Sequence, residues 1–397
     1  MTDAVRLAER LAERFAERAE RHDREASFPV QDMQDLKEAG LLGLMVPARL
    51  GGMGAGFEEY TRVAMALASG SGSTALAFNM HASVTGALAG VPDELARGLG
   101  APDAFFETRD EILRRAAGGA VYGVAITERE AGSRLSALRT TYRAEDGGYR
   151  ILGQKSVCTG AGHLDAYLVA ARAADGTDDT PRLSYFLVPS GEGIEVRQDW
   201  DPLGMRATAS HGLGLDVRVD AGALVGGVEG LVLLLANAMP QWLVASYAAV
   251  YVGVGQGALA EAVRYLGARV VAGSRGGLTG LPSVRARLGR ADAEIEGARL
   301  AVEEAARLVD ASPGEPDTNR AIFRAKLLAG DAAMRVASSL TEACGLGALQ
   351  RGQALERMFR DARMGALMPP SSDVCANYLG GVALGLEPMT SQDPRPW

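Results

Sequence analysis

The stretch with the most chemical content is Val124-Ala125-Ile126-Thr127-Glu128-Arg129-Glu130-Ala131-Gly132-Ser133. A β-type run ends there in a turn that offers a Thr hydroxyl, backbone amides, a Gly and a Ser. Such an array can hydrogen-bond the polar edge of a planar ring and a pyrophosphate without a helix N-terminus or a Walker loop. Taken alone, it is also what an ordinary strand and polar turn look like. Sulfur chemistry is not indicated. Cys158, Cys344 and Cys375 lie far apart with no CxxC or Cys/His spacing, so neither a disulfide framework nor a metal site is expected.

The elements that must position this stretch follow from periodicity. Leu7, Leu11, Phe15 and Ala19 form one stripe of a helix over 3–22, its other faces carrying Arg and Glu as a solvated surface. Phe28-Pro29 ends it. Further helices are predicted over Val30–Ala39, Phe57–Leu67 and Thr74–Leu88, with Gly51–Gly54 as a loop, and the helical period persists to about residue 120. At Tyr122 the pattern changes to short β-type runs: Tyr122–Thr127, Thr140–Ala144, Tyr149–Leu152, Ala166–Ala171, Leu183–Val188 and Leu215–Val219. Asp146-Gly147-Gly148 is a hairpin signal. Long helices are predicted again over 231–268, 282–311 and 317–344, and Glu387–Trp397 reads as a loose tail.

Composition bounds the partners. A formal charge of −8 without any Lys/Arg run argues against nucleic acid. The N-terminal residues are charged and lack the apolar core of a signal peptide. The apolar stretches 231–238 and 243–260 are interrupted by Met239-Pro240-Gln241 and read as a buried core helix, with no membrane span. The cytoplasm is the expected location.

In this company the Val124–Ser133 run resembles the flavin-binding Thr-Glu-x-x-Ala-Gly-Ser stretch of the acyl-CoA dehydrogenase family. Gly153-Gln154-Lys155-Ser156-Val157-Cys158-Thr159 is similar to that family's Asn-Gly-x-Lys-x-Trp-Ile-Thr strand, and Leu203-Gly204-Met205-Arg206-Ala207-Thr208 to its Leu-Gly-x-Arg-x-Ser element. Gly253-x-x-Gln256-x-Ala258-Leu259-x-Glu261-Ala262 with Tyr265 and Arg269, Cys344-Gly345-Leu346-Gly347, and Leu355-Glu356-Arg357-x-x-Arg360-Asp361-Ala362-Arg363 resemble its C-terminal signatures. Gly40-Leu41-Leu42-Gly43-Leu44-x-Val46-Pro47 with Leu50-Gly51-Gly52 resembles the N-terminal one. The resemblance implies an α+β fold, mostly α: a helical domain over 1–121, a β-barrel-like middle domain over 122–226 and a four-helix bundle over 227–397. It also implies bound FAD. By position Ile126, Thr127, Val157 and Thr159 meet the flavin ring, Gly132 and Ser133 the pyrophosphate, and Ser371 and Asp373 make the last contacts. Arg269, Gly345 and Gly347 reach the cofactor of a neighbouring subunit, which makes the chain a homodimer or homotetramer.

The departures bear on the reaction. In the dehydrogenases a glutamate after the Arg-Asp-Ala segment removes the substrate's α-proton, because an α-C–H is only weakly acidic even beside a thioester. Here Pro369 occupies that place, in Ala366-Leu367-Met368-Pro369-Pro370-Ser371-Ser372-Asp373. The alternative base position falls in Gln241-Trp242-Leu243-Val244, on Leu243, and the arginine used on the CoA portion is replaced by Val244. Val157 stands where an aromatic lies against the flavin, and Arg134 follows Gly-Ser in place of Asp. One reading is FAD-dependent oxidation of an acyl thioester, on CoA or a carrier protein, or of a related small molecule, with a recruited base. Candidates are Asp373, which also suits a cofactor contact or helix cap, His81, on a helix facing the family's substrate cavity, and His211, on a loop near the flavin. His22 and His163 read as surface residues, and Trp242 and Tyr247 as pocket lining or core. The alternative is a flavin monooxygenase or N-hydroxylase of the same fold, with FMN or FAD supplied reduced. Either needs an electron acceptor or a flavin reductase. A non-catalytic relative is disfavoured by the intact cofactor motifs.

Overall fold

A computed structural model describes residues 2–176, 182–230, 240–242, 244–269 and 277–386. The expected tail from Glu387, the helical turns over 231–239, and Leu243 lie outside the described residues. Six helices come first: α1 (Asp3–Glu25), α2 (Val30–Glu38), α3 (Phe57–Gly70), α4 (Gly72–Ala89), α5 (Asp93–Gly98) and α6 (Asp103–Ala117). Seven strands follow: β1 (Tyr122–Ala125), β2 (Thr141–Glu145), β3 (Gly148–Cys158), β4 (Ala166–Ala173), β5 (Leu183–Pro189), β6 (Ile194–Arg197) and β7 (His211–Asp220). The last region holds α7 (Ala245–Ala268), α8 (Pro282–Ala311), α9 (Pro316–Cys344), α10 (Ala354–Arg363) and α11 (Ser372–Ala383).

Leu11, Phe15 and Ala19 of the α1 stripe are buried and Leu7 is half-buried, but the charged flank beside the stripe is not simply solvated. Arg18 reaches across to Asp32 (2.7 Å) and Asp35 (2.5 Å) of α2, and Asp32 also accepts from the Thr74 hydroxyl of α4 at 2.7 Å. His22, expected at the surface, is 6% exposed and turned inward against Ser27, at 3.1 Å. The seven strands form one curled sheet in the order β1-β4-β2-β3-β7-β6, with β5 on the second edge of β4. The first half of β4 pairs in parallel with β1, while Arg172 and Ala173 pair with β2. That arrangement delivers the turn after β1 to the middle of the sheet. β6 escaped the sequence reading because a four-residue strand carries almost no period, and His211 opens β7 rather than sitting on a loop.

In the last region α7 is apolar on all sides, and 82% of its most apolar window is buried within the protein, as a core helix requires. Its glycines set the contact with α3. A methyl on Gly253 would sit 2.3 Å from the Met65 carbonyl, and one on Gly257 2.4 Å from that of Ser69. These two positions are one helical turn apart, so the backbones touch along one line.

α10 ties all three regions together. The Arg360 guanidinium donates to Asp23 of α1 (2.5 and 2.9 Å), to Glu356 (2.7 Å) and to the Leu203 carbonyl (3.0 Å). The Asp361 carboxylate accepts the Met205 amide at 2.5 Å, and burial raises its pKa to about 6. Two of the sequence motifs are thus two sides of one joint. A methyl on Gly204 would lie 2.2 Å from the Arg360 carbonyl. Gly204→Ala is expected to cost about 2–3 kcal/mol through overpacking of that joint, measurable as a lower urea midpoint; an unchanged midpoint would contradict this role.

Candidate active site

The three regions meet around a cavity of about 610 Å³. One wall is the sheet edge and its turn: Ile126, Thr127, Ser133, Val157 and Thr159. A second is helical, with Leu76 and Met80 from α4 and Val244, Tyr247 and Tyr251 from the start of α7. The third is Asn319 and Phe323 of α9 with the segment from Met364 to Tyr378, including Pro369. Of the residues expected at a flavin, Ile126, Thr127, Ser133, Val157 and Thr159 are therefore brought to one surface.

The turn is shaped by its own backbone. Glu128 and Gly132 exchange amide–carbonyl hydrogen bonds at 3.0 and 2.8 Å, with Gly132 at φ +60°, where a side chain would be strained. The Glu128 side chain then anchors the turn from beneath. Its carboxylate accepts the Arg139 amide (2.7 Å), the Thr140 amide (3.0 Å), the Thr140 hydroxyl (2.6 Å) and the Lys155 ammonium (2.8 Å). Lys155, fully buried, also donates to the Ile126 carbonyl at 3.2 Å. Burial opposes both charges. It pulls the Lys155 pKa down, whereas for Glu128 the ammonium and the hydrogen bonds outweigh it and hold the carboxyl low.

Val157 is held in the cavity by a bulge. β3 slips register against β7 between Lys155 and Cys158, and Val157 takes a left-handed backbone at φ 55°. A β-branched residue there is strained, and bulges of this kind re-aim side chains beside functional sites. Val157 stands half exposed at the wall. Behind it the Thr159 hydroxyl meets Ser210 (3.0 Å), which meets Thr208 (2.7 Å). The donor set fits a flavin: apolar faces for a tricyclic ring, and hydroxyls of Thr127 and Ser133 that no described side chain engages.

Other candidates lie elsewhere. His81 does not reach the cavity. Its Nε2 donates to the Leu42 carbonyl (2.7 Å) and its Nδ1 accepts the Tyr122 amide (3.1 Å), so it bolts α4 to β1. Complete burial lowers its pKa to about 4 and keeps it neutral. His211 Nδ1 accepts the amides of Asp199 and Trp200 at 3.1 and 3.0 Å. His163 is exposed but stacked on Phe28, with ring centroids 4.6 Å apart. Asp373 is exposed in the first turn of α11, and Ser371 caps that helix at the Val374 amide. Gly132 lies in the turn just behind the lining. Arg269 and Gly347 come together with Tyr265 at a separate, exposed corner, beside Gly345. Trp242 packs on Gly86 and Phe57 instead of lining the cavity. The lining that sequence reading missed includes the aromatic and thioether side chains of Tyr185, Tyr251, Trp200, Phe323 and Met80. Only the one-turn spacing of Tyr247 and Tyr251 signals it.

No Asp, Glu, His, Lys or Arg lines the cavity among the described residues. This follows from sequence at the two places where a base was sought. Of these, Pro369 lines it and Leu243 lies outside the described residues; Val244, at the place of the CoA arginine, lines it as well.

Two substitutions test the roles of these buried groups. Glu128→Gln should destabilise the protein by about 3–5 kcal/mol by leaving Lys155 buried and unpaired, and adding Lys155→Met should restore most of the loss; chemical denaturation reads both. For His81 the folded pKa of about 4 lies below the unfolded value of about 6.5. Its neutral form is therefore fully favourable above about 6.5, and stability falls as pH drops from there toward 4, by about 3 kcal/mol over the window. His81→Gln should flatten that part of the stability–pH curve.

Comparison with known proteins agrees with this assembly. Three family models match in chain order: acyl-CoA dehydrogenase N-terminal domain over residues 3–95, middle domain over 123–217 and C-terminal domain over 244–379. The acyl-CoA dehydrogenase FadE12 of Mycobacterium tuberculosis is 28% identical over 358 residues, 87% of this chain and 86% of its own. The amino sugar nitrososynthase DnmZ of Streptomyces peucetius is 28% identical over 408 residues, 96% of this chain and 92% of its own. The FMN-bound dibenzothiophene monooxygenase TdsC of Paenibacillus sp. A11-2 superposes with a TM-score of 0.84 at 25% identity, covering 98% and 99% of the two chains. Matched along nearly all its length by family domains in their proper order, the chain belongs to the acyl-CoA dehydrogenase family and is a flavin-dependent oxidoreductase of that type.

Proposed function

We propose that flavin lies along Ile126, Thr127, Val157 and Thr159, and that the chain oxidises an acyl thioester or a related small molecule in the space between this wall and α4 and α7. Bound flavin supplies two-electron redox chemistry, either as hydride acceptor or, once reduced, as the reductant of oxygen. The protein's part is to orient and to exclude water. The Thr127 and Thr159 hydroxyls address the polar ring edge, and Leu367, Met368 and Pro369 close the far side with apolar surface. The intact Thr-Glu-x-x-Ala-Gly-Ser turn supports FAD. The exposed corner at Arg269, Gly345 and Gly347, with Leu346 83% exposed, supports a dimer or tetramer in which this corner serves a neighbour's cofactor. A cytoplasmic location is part of the same reading.

One observation favours the oxygen-dependent chemistry over dehydrogenation: the absence of any charged group from the described lining. Removing an α-proton needs a positioned base, and the described wall of Tyr, Thr, Met, Val and Pro offers none. Oxygen transfer needs no such base, but it does need a closed apolar chamber and a reductase to deliver electrons. TdsC is named a dibenzothiophene monooxygenase, which supports such chemistry on this fold.

Mixing anaerobic oxidised holoenzyme with a panel of acyl thioesters separates the two. Persistent flavin colour, with oxygen-dependent product only when reduced flavin is supplied, is the expected result; bleaching by a thioester would establish dehydrogenation instead. Thr127→Val should weaken flavin binding about five- to tenfold, the worth of one hydrogen bond of about 1 kcal/mol, as read by fluorescence titration.

A further inference from the structure

Two tyrosine hydroxyls in the cavity wall have no hydrogen-bond partner. Tyr185 of β5 is 2% exposed and Tyr251 of α7 is fully buried, and the phenol oxygen of each is unsatisfied among the described residues. Both side chains line the cavity. Tyr247, one helical turn before Tyr251 on the same face of α7, lines it as well and is 6% exposed. Nearby Tyr60 is different: it donates to the Ser246 carbonyl and accepts from Asn79, so its hydroxyl is fully used in holding α3, α4 and α7 together.

An orphaned hydroxyl inside a protein is costly, and two in one chamber call for a physical reason. Packing does not supply it, since phenylalanine would fill the same space at both positions. Yet the fold makes room for Tyr251 in particular. A methyl on Gly365 would lie 2.9 Å from the Tyr251 ring, so the ring rests on bare backbone. The Gly365 carbonyl is itself fixed by the buried Lys326 ammonium at 2.9 Å.

We propose that Tyr185 and Tyr251, with Tyr247 beside them, form a substrate subsite that donates hydrogen bonds to an uncharged acceptor oxygen carried on an apolar body. Ketones, thioester carbonyls and sulfoxides belong to this class. The phenols remain donors throughout the working range, because burial pushes Tyr247 up to about 12 and raises Tyr185 and Tyr251 as well. The acceptor is neutral because no Lys or Arg lines the cavity among the described residues, and an anion would be stripped of water without a counter-charge. Met80, Trp200 and Phe323 provide apolar contact for the remainder of the molecule. This subsite rests on the cavity being the substrate chamber of a flavin enzyme, and it holds for either chemistry.

The test uses flavin-loaded protein and three probes of one skeleton: ethylbenzene, acetophenone and phenylacetate, with their naphthyl homologues. Affinity is read by calorimetry and by perturbation of the flavin spectrum. The ketones should bind at least about tenfold more tightly than the hydrocarbons, with the carboxylates weakest. Tyr185→Phe and Tyr251→Phe should each remove about five- to tenfold of the ketone affinity. Hydrocarbon affinity and flavin stoichiometry should stay unchanged. Because each variant deletes an orphaned polar group, its apo Tm should equal or exceed that of wild type, whereas a purely structural role would lower it. Ketone preference intact in both variants, equal binding of ketone and hydrocarbon, preference for the carboxylate, or binding of no probe overturns the subsite. Failure of wild-type protein to take up flavin would instead sink the parent reading.

Discussion

A lysine and a glutamate with almost no contact with water hold one wall of the cavity in place. Lys155 and Glu128 sit 2.8 Å apart beneath the turn that follows β1. Neither could be buried alone, since an unpaired interior charge costs several kcal/mol. Each therefore enforces the other's position. The carboxylate has its remaining lone pairs filled from Arg139 and Thr140, and the ammonium reaches back to the Ile126 carbonyl. The effect is geometric. Residues 126 and 127 are fixed from below, so their upper faces are free to meet a ring. The bulge that turns Val157 into the cavity begins at the residue after Lys155. One ion pair thus sets the place of the turn and the phase of the strand beside it.

The second constraint acts across regions. Arg360 and Asp361 bind the last helical region to α1 and to the Leu203–Met205 corner of the middle region, and the cavity lies where the three converge. The scaffold therefore encloses a chamber between a sheet and two sets of helices, where we propose that flavin binds. What the scaffold encloses is a separate matter. The described walls carry hydroxyls, thioethers and aromatic rings but no acid or base. Fold and cofactor are shared with the dehydrogenases, whereas the groups around the reacting atoms are this chain's own.

Much of this was legible in the residue pattern, and what was not has physical causes. Long elements were readable because burial imposes a period: α8 and α9 fall within a residue of the expected spans, and the stripe on α1 is the buried one. Glycine-rich motifs were readable because close approach excludes a side chain, as at Gly204 and Gly253. The partners of Glu128 were not, since nothing local in sequence joins residues 128 and 155. His81 and His22 were misjudged for the same reason. A histidine's role depends on what meets its two nitrogens, and the carbonyl of Leu42 and amide of Tyr122 come from distant segments. Tyr185 and Tyr251 carry no local signal beyond the one-turn spacing from Tyr247, and by burial they are core residues. Only the cavity reveals that their hydroxyls point to no partner.

Most depends on flavin binding, as we propose, in a cavity whose described walls carry no base able to take an α-proton. Proton exchange measures it directly. Flavin-loaded oxidised enzyme is incubated anaerobically in D₂O with saturated acyl-CoA thioesters of several chain lengths, and loss of the α-CH signal is followed by proton NMR. The expected result is no exchange beyond that of enzyme-free thioester. Enzyme-dependent washout of the α-protons would show that a base does reach the substrate, and would contradict the account of an uncharged chamber.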